Sequence, residues 1–177
     1  MIANVVMVDQ SPIGTTRRGN PLTYTKAFDP VRELFAATPL AKLRGFTRAT
    51  FSFNVSGGRC ETCNGEGFEK VEMQFLSDVY VLCPACRGTR FRDEVLEVRY
   101  AGKSIREVLD LTVEEAIRFF ASAPEVPRRL RPLVEVGMGY LRLGQPLTTL
   151  SGGESQRLKL AAAMARNAKA HSLFLFD

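Results

Sequence analysis

Leu150-Ser151-Gly152-Gly153-Glu154-Ser155-Gln156 opens a strongly helical stretch that continues through Arg157-Leu158-Lys159-Leu160-Ala161. Two adjacent glycines let the backbone approach a ligand closely and adopt angles that other residues resist. The N–H groups they expose stand at a helix start, where the macrodipole favours negative charge. This chemistry points to a nucleotide phosphate, and the plainer reading is a serine N-cap on an ordinary helix. Further on, the apolar run Leu173-Phe174-Leu175-Phe176 reads as a strand that ends in the carboxylate of Asp177.

Outward from that stretch, Cys60-Glu61-Thr62-Cys63 and Cys83-Pro84-Ala85-Cys86 form a C-x2-C-x19-C-x2-C pattern, which falls within the spacing of four-thiolate zinc sites. Two-residue spacing turns both sulfurs of a pair toward one ion, and Gly65, Gly67 and Gly88 supply tight turns after the pairs. Four thiolates leave no open position for water, so Zn2+ held by Cys60, Cys63, Cys83 and Cys86 is structural in this reading. The competing reading is a redox dithiol or buried thiols. His171, the sole histidine, lies far from the cysteines in sequence and is expected at the surface. Between the pairs, Lys70–Phe75 alternates and Val79–Leu82 follows a short connection, which predicts a β-hairpin carried by the metal knot.

A chain of 177 residues, 45% hydrophobic, buries a core in one domain or one domain with an insertion. No apolar run approaches a membrane span, and Asp9 and the shortness of Val5-Val6-Met7-Val8 argue against a signal peptide. The reading is therefore soluble and cytoplasmic, with reduced cysteines. The net charge of +5 is uneven: residues 1–59 hold eight Lys or Arg and three acids, and residues 60–177 hold sixteen of each. A basic surface suits a polyanion, although a modest excess is also what a solvated face carries.

Several elements are legible. Asn4–Asp9 reads as a buried strand broken by Gln10-Ser11-Pro12-Ile13-Gly14, followed by a long loop through Tyr24. A short helix begins at Pro30 with Asp29 as N-cap. Residues 44–59 mix basic and aromatic groups; base stacking is one use for Phe51 and Phe53, and core packing is favoured. Val95–Tyr100 alternates as a strand, and Ser104-x-x-Glu107 and Thr112-x-x-Glu115 are capping boxes that start two helices. Ile117, Phe119 and Phe120 form an apolar stripe, and another helix near Arg128–Val136 ends at Gly137.

LSGGESQ resembles the signature motif of ABC ATPases, and Leu173–Asp177 resembles a Walker B segment. The order VDQSPIG, NPLTYT, PVRELFA, FSFNVSGGRCETCNGEG, VEMQFLSDVYVLCPAC and LRLGQPLTTLSGGESQRLKLA is similar, over nearly the whole chain, to the second ABC module of the UvrA family. That resemblance implies an α/β fold: a partial P-loop NTPase of ABC type with an inserted helical signature domain and a zinc-knot β-hairpin. It implies ABC core strand and Q-loop over 1–14, a basic DNA-facing segment over 15–59, the zinc module over 60–86, the signature domain over 87–149, and signature, helix and Walker B strand over 150–177. It makes Gln10 the Q-loop residue contacting magnesium and attacking water, and Asp177 the Walker B acid. Ser151, Gly152, Gly153 and Glu154 become a signature that meets ATP across a dimer interface.

The function so implied is ATP-dependent recognition of damaged double-stranded DNA in nucleotide excision repair and the SOS response, with a UvrB helicase partner and a homodimer. Arg17, Arg18, Arg44, Arg48 and Lys70 are the DNA-binding candidates; the family loop has Arg where this chain has Thr15. A Walker A loop precedes the first strand in the family, and a catalytic glutamate follows the Walker B acid. Neither is in these 177 residues, so the chain is expected to be a fragment that does not hydrolyse ATP alone. Two alternatives are a DnaJ-like zinc-binding chaperone domain, which leaves LSGGESQ unexplained, and another ABC ATPase subunit of transporter type. The separation of about 140 residues between Gln10 and Ser151 disfavours the second.

Overall fold

The structure is a computed structural model that describes residues 4–14, 16–166 and 172–176; Thr15, His171 and Asp177 lie outside the described residues. Runs of helices and of short strands follow one another: β1 (Asn4–Val8), α1 (Pro21–Tyr24), α2 (Phe28–Ala36), α3 (Pro39–Leu43), β2 (Phe68–Val71), β3 (Val79–Leu82) and α4 (Asp93–Leu96). β4 (Arg99–Tyr100), β5 (Lys103–Ser104), α5 (Ile105–Asp110), α6 (Val113–Phe119), α7 (Glu125–Glu135), α8 (Gly152–Arg166) and β6 (Ser172–Phe176) complete the order. The chain divides into two compact units, Met1–Pro30 with Leu109–Asp177, and Val31–Val108. This grouping differs from the five segments implied by the resemblance. Among the described residues no helix is long and apolar enough to cross a membrane.

In the first unit β1 and β6 pair in parallel, with Val5 opposite Leu173 and Met7 opposite Leu175. Both expected strands form, but β1 is not buried on both faces: Val8 is 1% exposed, whereas Val5 and Met7 are 62% and 68% exposed. Alternation accounts for the difference, because residues two apart share one face of a strand. Helices α6, α7 and α8 pack in sequence, and α8 also packs on β1. In α7 the buried Val126, Leu130 and Leu133 follow helical spacing. The helix begins at Glu125, earlier than Arg128, because Pro127 falls in the first turn, where no N–H is needed. It ends as expected at Gly137, whose φ of 75° lets Met138 N–H reach Leu133 O at 2.8 Å.

Local signals also placed α5 and α6. Ser104 N–H donates to Glu107 at 2.7 Å, and Thr112 and Glu115 close the second capping box. A box at Asn20 and Thr23 starts α1 inside the stretch expected to be loop.

In Val31–Val108 the expected strand over Val95–Tyr100 is corrected to α4 followed by the two-residue β4. Asp93 and Glu94 favour a helix start, and Val95 and Val98, three apart, are both fully buried. α2 begins at Phe28, so Asp29 lies within its first turn instead of capping it, while Pro30 stands in that turn as expected. Phe51 and Phe53 are fully buried, which supports core packing over stacking. Phe35 anchors this core, with its ring centroid 5.5 Å from Phe51 and 6.0 Å from Tyr100. Phe35→Ala should cost about 3 to 5 kcal/mol in urea unfolding followed by near-ultraviolet circular dichroism. A loss below about 1 kcal/mol would contradict this packing.

Candidate metal centre and anion-binding turn

The sulfurs of Cys60, Cys63, Cys83 and Cys86 all lie within 4.8 Å of one another, and all four residues are buried. No disulfide joins them. The Cys60–Cys83 and Cys63–Cys86 sulfur separations are 3.9 and 3.6 Å. Metal–sulfur bonds of about 2.3 Å in a tetrahedron place sulfurs about 3.8 Å apart, so the cage fits zinc.

Each Cys-x-x-Cys pair ends in the same turn. Asn64 and Gly65 after the first pair, and Arg87 and Gly88 after the second, have positive φ. Gly65 N–H donates to Cys60 O, Gly67 N–H donates to the Cys63 sulfur at 3.2 Å, and Arg87 N–H donates to Cys83 O. Burial opposes ionisation of Cys60, but the N–H groups of Cys63 and Thr62 outweigh it and hold the thiol down to about 7. Burial, with Cys86 alongside, pushes Cys63 up to about 12, and burial also raises Cys83. A divalent cation supplies the charge that lets all four lose their protons.

The hairpin between the pairs is β2 with β3, Phe68 opposite Leu82 and Val71 opposite Val79. Its first strand starts and ends earlier than the expected Lys70–Phe75, and β3 is exposed along its whole length. Phe75 and Leu76, in the connection, are 95% and 70% exposed.

At the other candidate site, Ser151 caps α8 and Glu154 closes the box. Glu154 N–H donates to Ser151 Oγ at 3.3 Å, while Ser151 N–H and Oγ–H donate to Glu154 Oε2 at 2.8 and 2.9 Å. Tyr140 donates to Glu154 Oε1 at 2.7 Å. These donors, Ser151 N–H first, hold the Glu154 carboxyl below the usual range. Glu154 therefore orders the turn, and Ser151, Gly152 and Gly153 are exposed. Gln10 stands beside it: a Cβ on Gly152 would lie 3.2 Å from Gln10 Oε1.

Sequence reasoning missed Lys159, whose Nζ donates to Ser11 O at 2.8 Å and to Ser11 Oγ at 2.7 Å, and pairs with the Asp9 carboxylate. Gln156 donates to Val8 O at 3.1 Å. The readable signal was the spacing 152, 156, 159, which is one stripe of a helix.

The DNA-binding candidates lie apart in the sequence and in different surroundings. Arg17 and Arg18 are half-buried in the loop before α1. Arg44 pairs with Glu97 and donates to Glu94 O, Arg48 pairs with Glu33 at 3.1 Å, and Lys70 lies between Glu72 and Asp78 at 3.1 and 2.9 Å. Exposed pairs of this kind contribute little to stability.

The tightest point of the knot is Gly65, with φ +79°, where an added Cβ would fall 2.1 Å from Phe53 O. Gly65→Ala should destabilise the metal-loaded protein by about 2 kcal/mol or more and weaken metal retention against a chelator. Retention equal to the parent would contradict this geometry.

No family model matches the chain. Over 176 residues, 99% of this chain, it is 57% identical to UvrABC system protein A of Methanothermobacter thermautotrophicus and 53% identical to that of Listeria monocytogenes. The chain spans 18% of the length of these curated relatives. The crystal structure of UvrA2 from Deinococcus radiodurans superposes with a TM-score of 0.92 at 57% identity, covering 98% of this chain and 21% of that one. A single match that runs through both the four cysteines and the Ser151–Gln156 stretch ties the two sites to one ancestry: over the segment it spans, the chain belongs to the UvrA family.

Proposed function

We propose that this chain is the zinc-bearing and signature-bearing part of an ATP-dependent subunit that recognises damaged double-stranded DNA in nucleotide excision repair. The observation that carries the reading is the 57% identity to UvrABC system protein A over 99% of the chain. The same match includes the Ser151 turn, so it favours this reading over a DnaJ-like chaperone domain.

In this reading Cys60, Cys63, Cys83 and Cys86 hold a structural Zn2+ that closes the knot beneath the hairpin. The fold is of ABC type. Gln10 and Asp177 belong to the magnesium side of a nucleotide site, and the Ser151 hydroxyl with the Gly152 and Gly153 amides faces the γ-phosphate of ATP held on another module. Bound magnesium neutralises phosphate charge, and the preorganised donors of the turn stabilise what develops in transfer. Glu154 keeps Ser151 in place through the capping box. Arg17, Arg18, Arg44, Arg48 and Lys70 supply phosphate contacts, with salt-dependent affinity. A second copy and a UvrB-type helicase are the protein partners, and the cytoplasm is the setting.

Gly153 offers a clean test, because a Cβ there meets nothing within 4 Å and an acid in the first turn suits the helix dipole. In a full-length UvrA-type protein carrying this segment, Gly153→Asp should fold normally, keep its zinc and lose ATP turnover by about a hundredfold. Preference for an adduct-bearing duplex in ATP should fall with it. Unchanged turnover in the folded variant would overturn the signature assignment.

A further inference from the structure

Helix α8 holds the strand end next to Gln10 residue by residue. Gln156 takes the carbonyl of Val8, and Lys159 takes groups of Asp9 and Ser11, so the grip falls on both sides of Gln10. The Lys159 ammonium meets four oxygens: the Asp9 carboxylate, Asp9 O at 3.3 Å, Ser11 O at 2.8 Å and Ser11 Oγ at 2.7 Å. Its side chain is only 21% exposed. An exposed Lys–Asp pair contributes little by itself, and it does not fix a backbone. Two main-chain carbonyls on one ammonium do, because they set the peptide orientations before and after residue 10.

Asp9 strengthens the arrangement by accepting from Ser11 N–H at 3.0 Å, which folds residues 9–11 around the cation. Lys159, then Ser11, hold the Asp9 carboxyl down to about 2, so the carboxylate stays charged at any physiological pH. Gln10 itself is exposed, and its Oε1 approaches the first residue of α8 at Gly152.

We propose that Lys159 is a positioning residue: by clamping Asp9 and Ser11 it sets where the Gln10 amide stands relative to the Ser151–Gly153 turn. Helix α8 thereby links the two polar groups of the nucleotide reading within one chain. A displacement at one end of the stripe 152, 156, 159 is carried to the other by a rigid helix. The inference rests on the proposed role of Gln10 toward magnesium and water.

The experiment measures ATP turnover against ATP and against magnesium in the full-length UvrA-type protein carrying this segment. Lys159→Met keeps the aliphatic stem and removes the ammonium. It should lower kcat by about tenfold or more, because small misplacements of a positioning group have large effects. KM for ATP should stay within about twofold, and the magnesium dependence should move to higher concentration. Lys159→Arg, which still reaches carboxylate and carbonyl, should recover much of the loss.

Gln10→Ala separates the two failures. If it leaves turnover unchanged, the nucleotide role of Gln10 is wrong and the proposal falls with it. If Gln10→Ala lowers turnover while Lys159→Met keeps the parent kcat and magnesium dependence, the positioning role alone is refuted. Should Lys159→Met not fold, Lys159→Gln carries the same expectations; failure of both to fold would make Lys159 a folding residue and overturn the proposal.

Discussion

Four buried sulfurs within 4.8 Å of one another constrain the unit Val31–Val108 more than any apolar contact does. Protonated thiols gain little from such crowding, and four thiolates repel, so the arrangement is stable around a shared cation. The hairpin depends on it. β3 is exposed along its length, and Phe75 and Leu76 project without cover from the described residues. An isolated two-stranded hairpin is marginal in water, so β2 and β3 draw their order from the paired Cys turns at their base. Those turns need positive φ at Gly65 and Gly88, which ties the backbone to the cage.

The unit Met1–Pro30 with Leu109–Asp177 rests on a different constraint, the face of α8 that meets β1. One stripe of that helix is polar and reaches the end of the strand through Gln156 and Lys159. Another is apolar, with Leu158, Ala161 and Ala162 buried. The same helix starts at the self-capped Ser151 turn, so the groups proposed to meet nucleotide are fixed by the packing of a single rigid element. The local chemistry at Ser151 and the distant packing at Lys159 are two ends of it.

What was legible in the sequence was what is local. The cysteine spacing named the metal centre, because two residues between ligands already aim both sulfurs at one point. The boxes at Ser104 and Thr112 were readable because donor and acceptor lie three residues apart; at Ser151 only the N-cap was read, although Glu154 closes a box there at the same spacing. Val95–Tyr100 misled because its alternation follows Asp93 and Glu94, which start a single helical turn ending at Leu96. The basic excess of residues 1–59 was visible, yet the Glu97 partner of Arg44 lies 53 residues away and the Asp9 partner of Lys159 lies 150 away. Separations of that size are set by tertiary structure, and no window of sequence contains them. The exposed face of Val5 and Met7 was hidden for the same reason: an apolar run does not say which side is covered.

The central claim is that a zinc-closed cage of four cysteines organises the module on which the hairpin stands. Zinc K-edge X-ray absorption on the purified protein tests it most directly. The account predicts one zinc per chain with four sulfur neighbours at about 2.3 Å and no nitrogen or oxygen in the first shell. Mixed sulfur and oxygen ligation, or protein that folds with its hairpin intact and no metal, would contradict it.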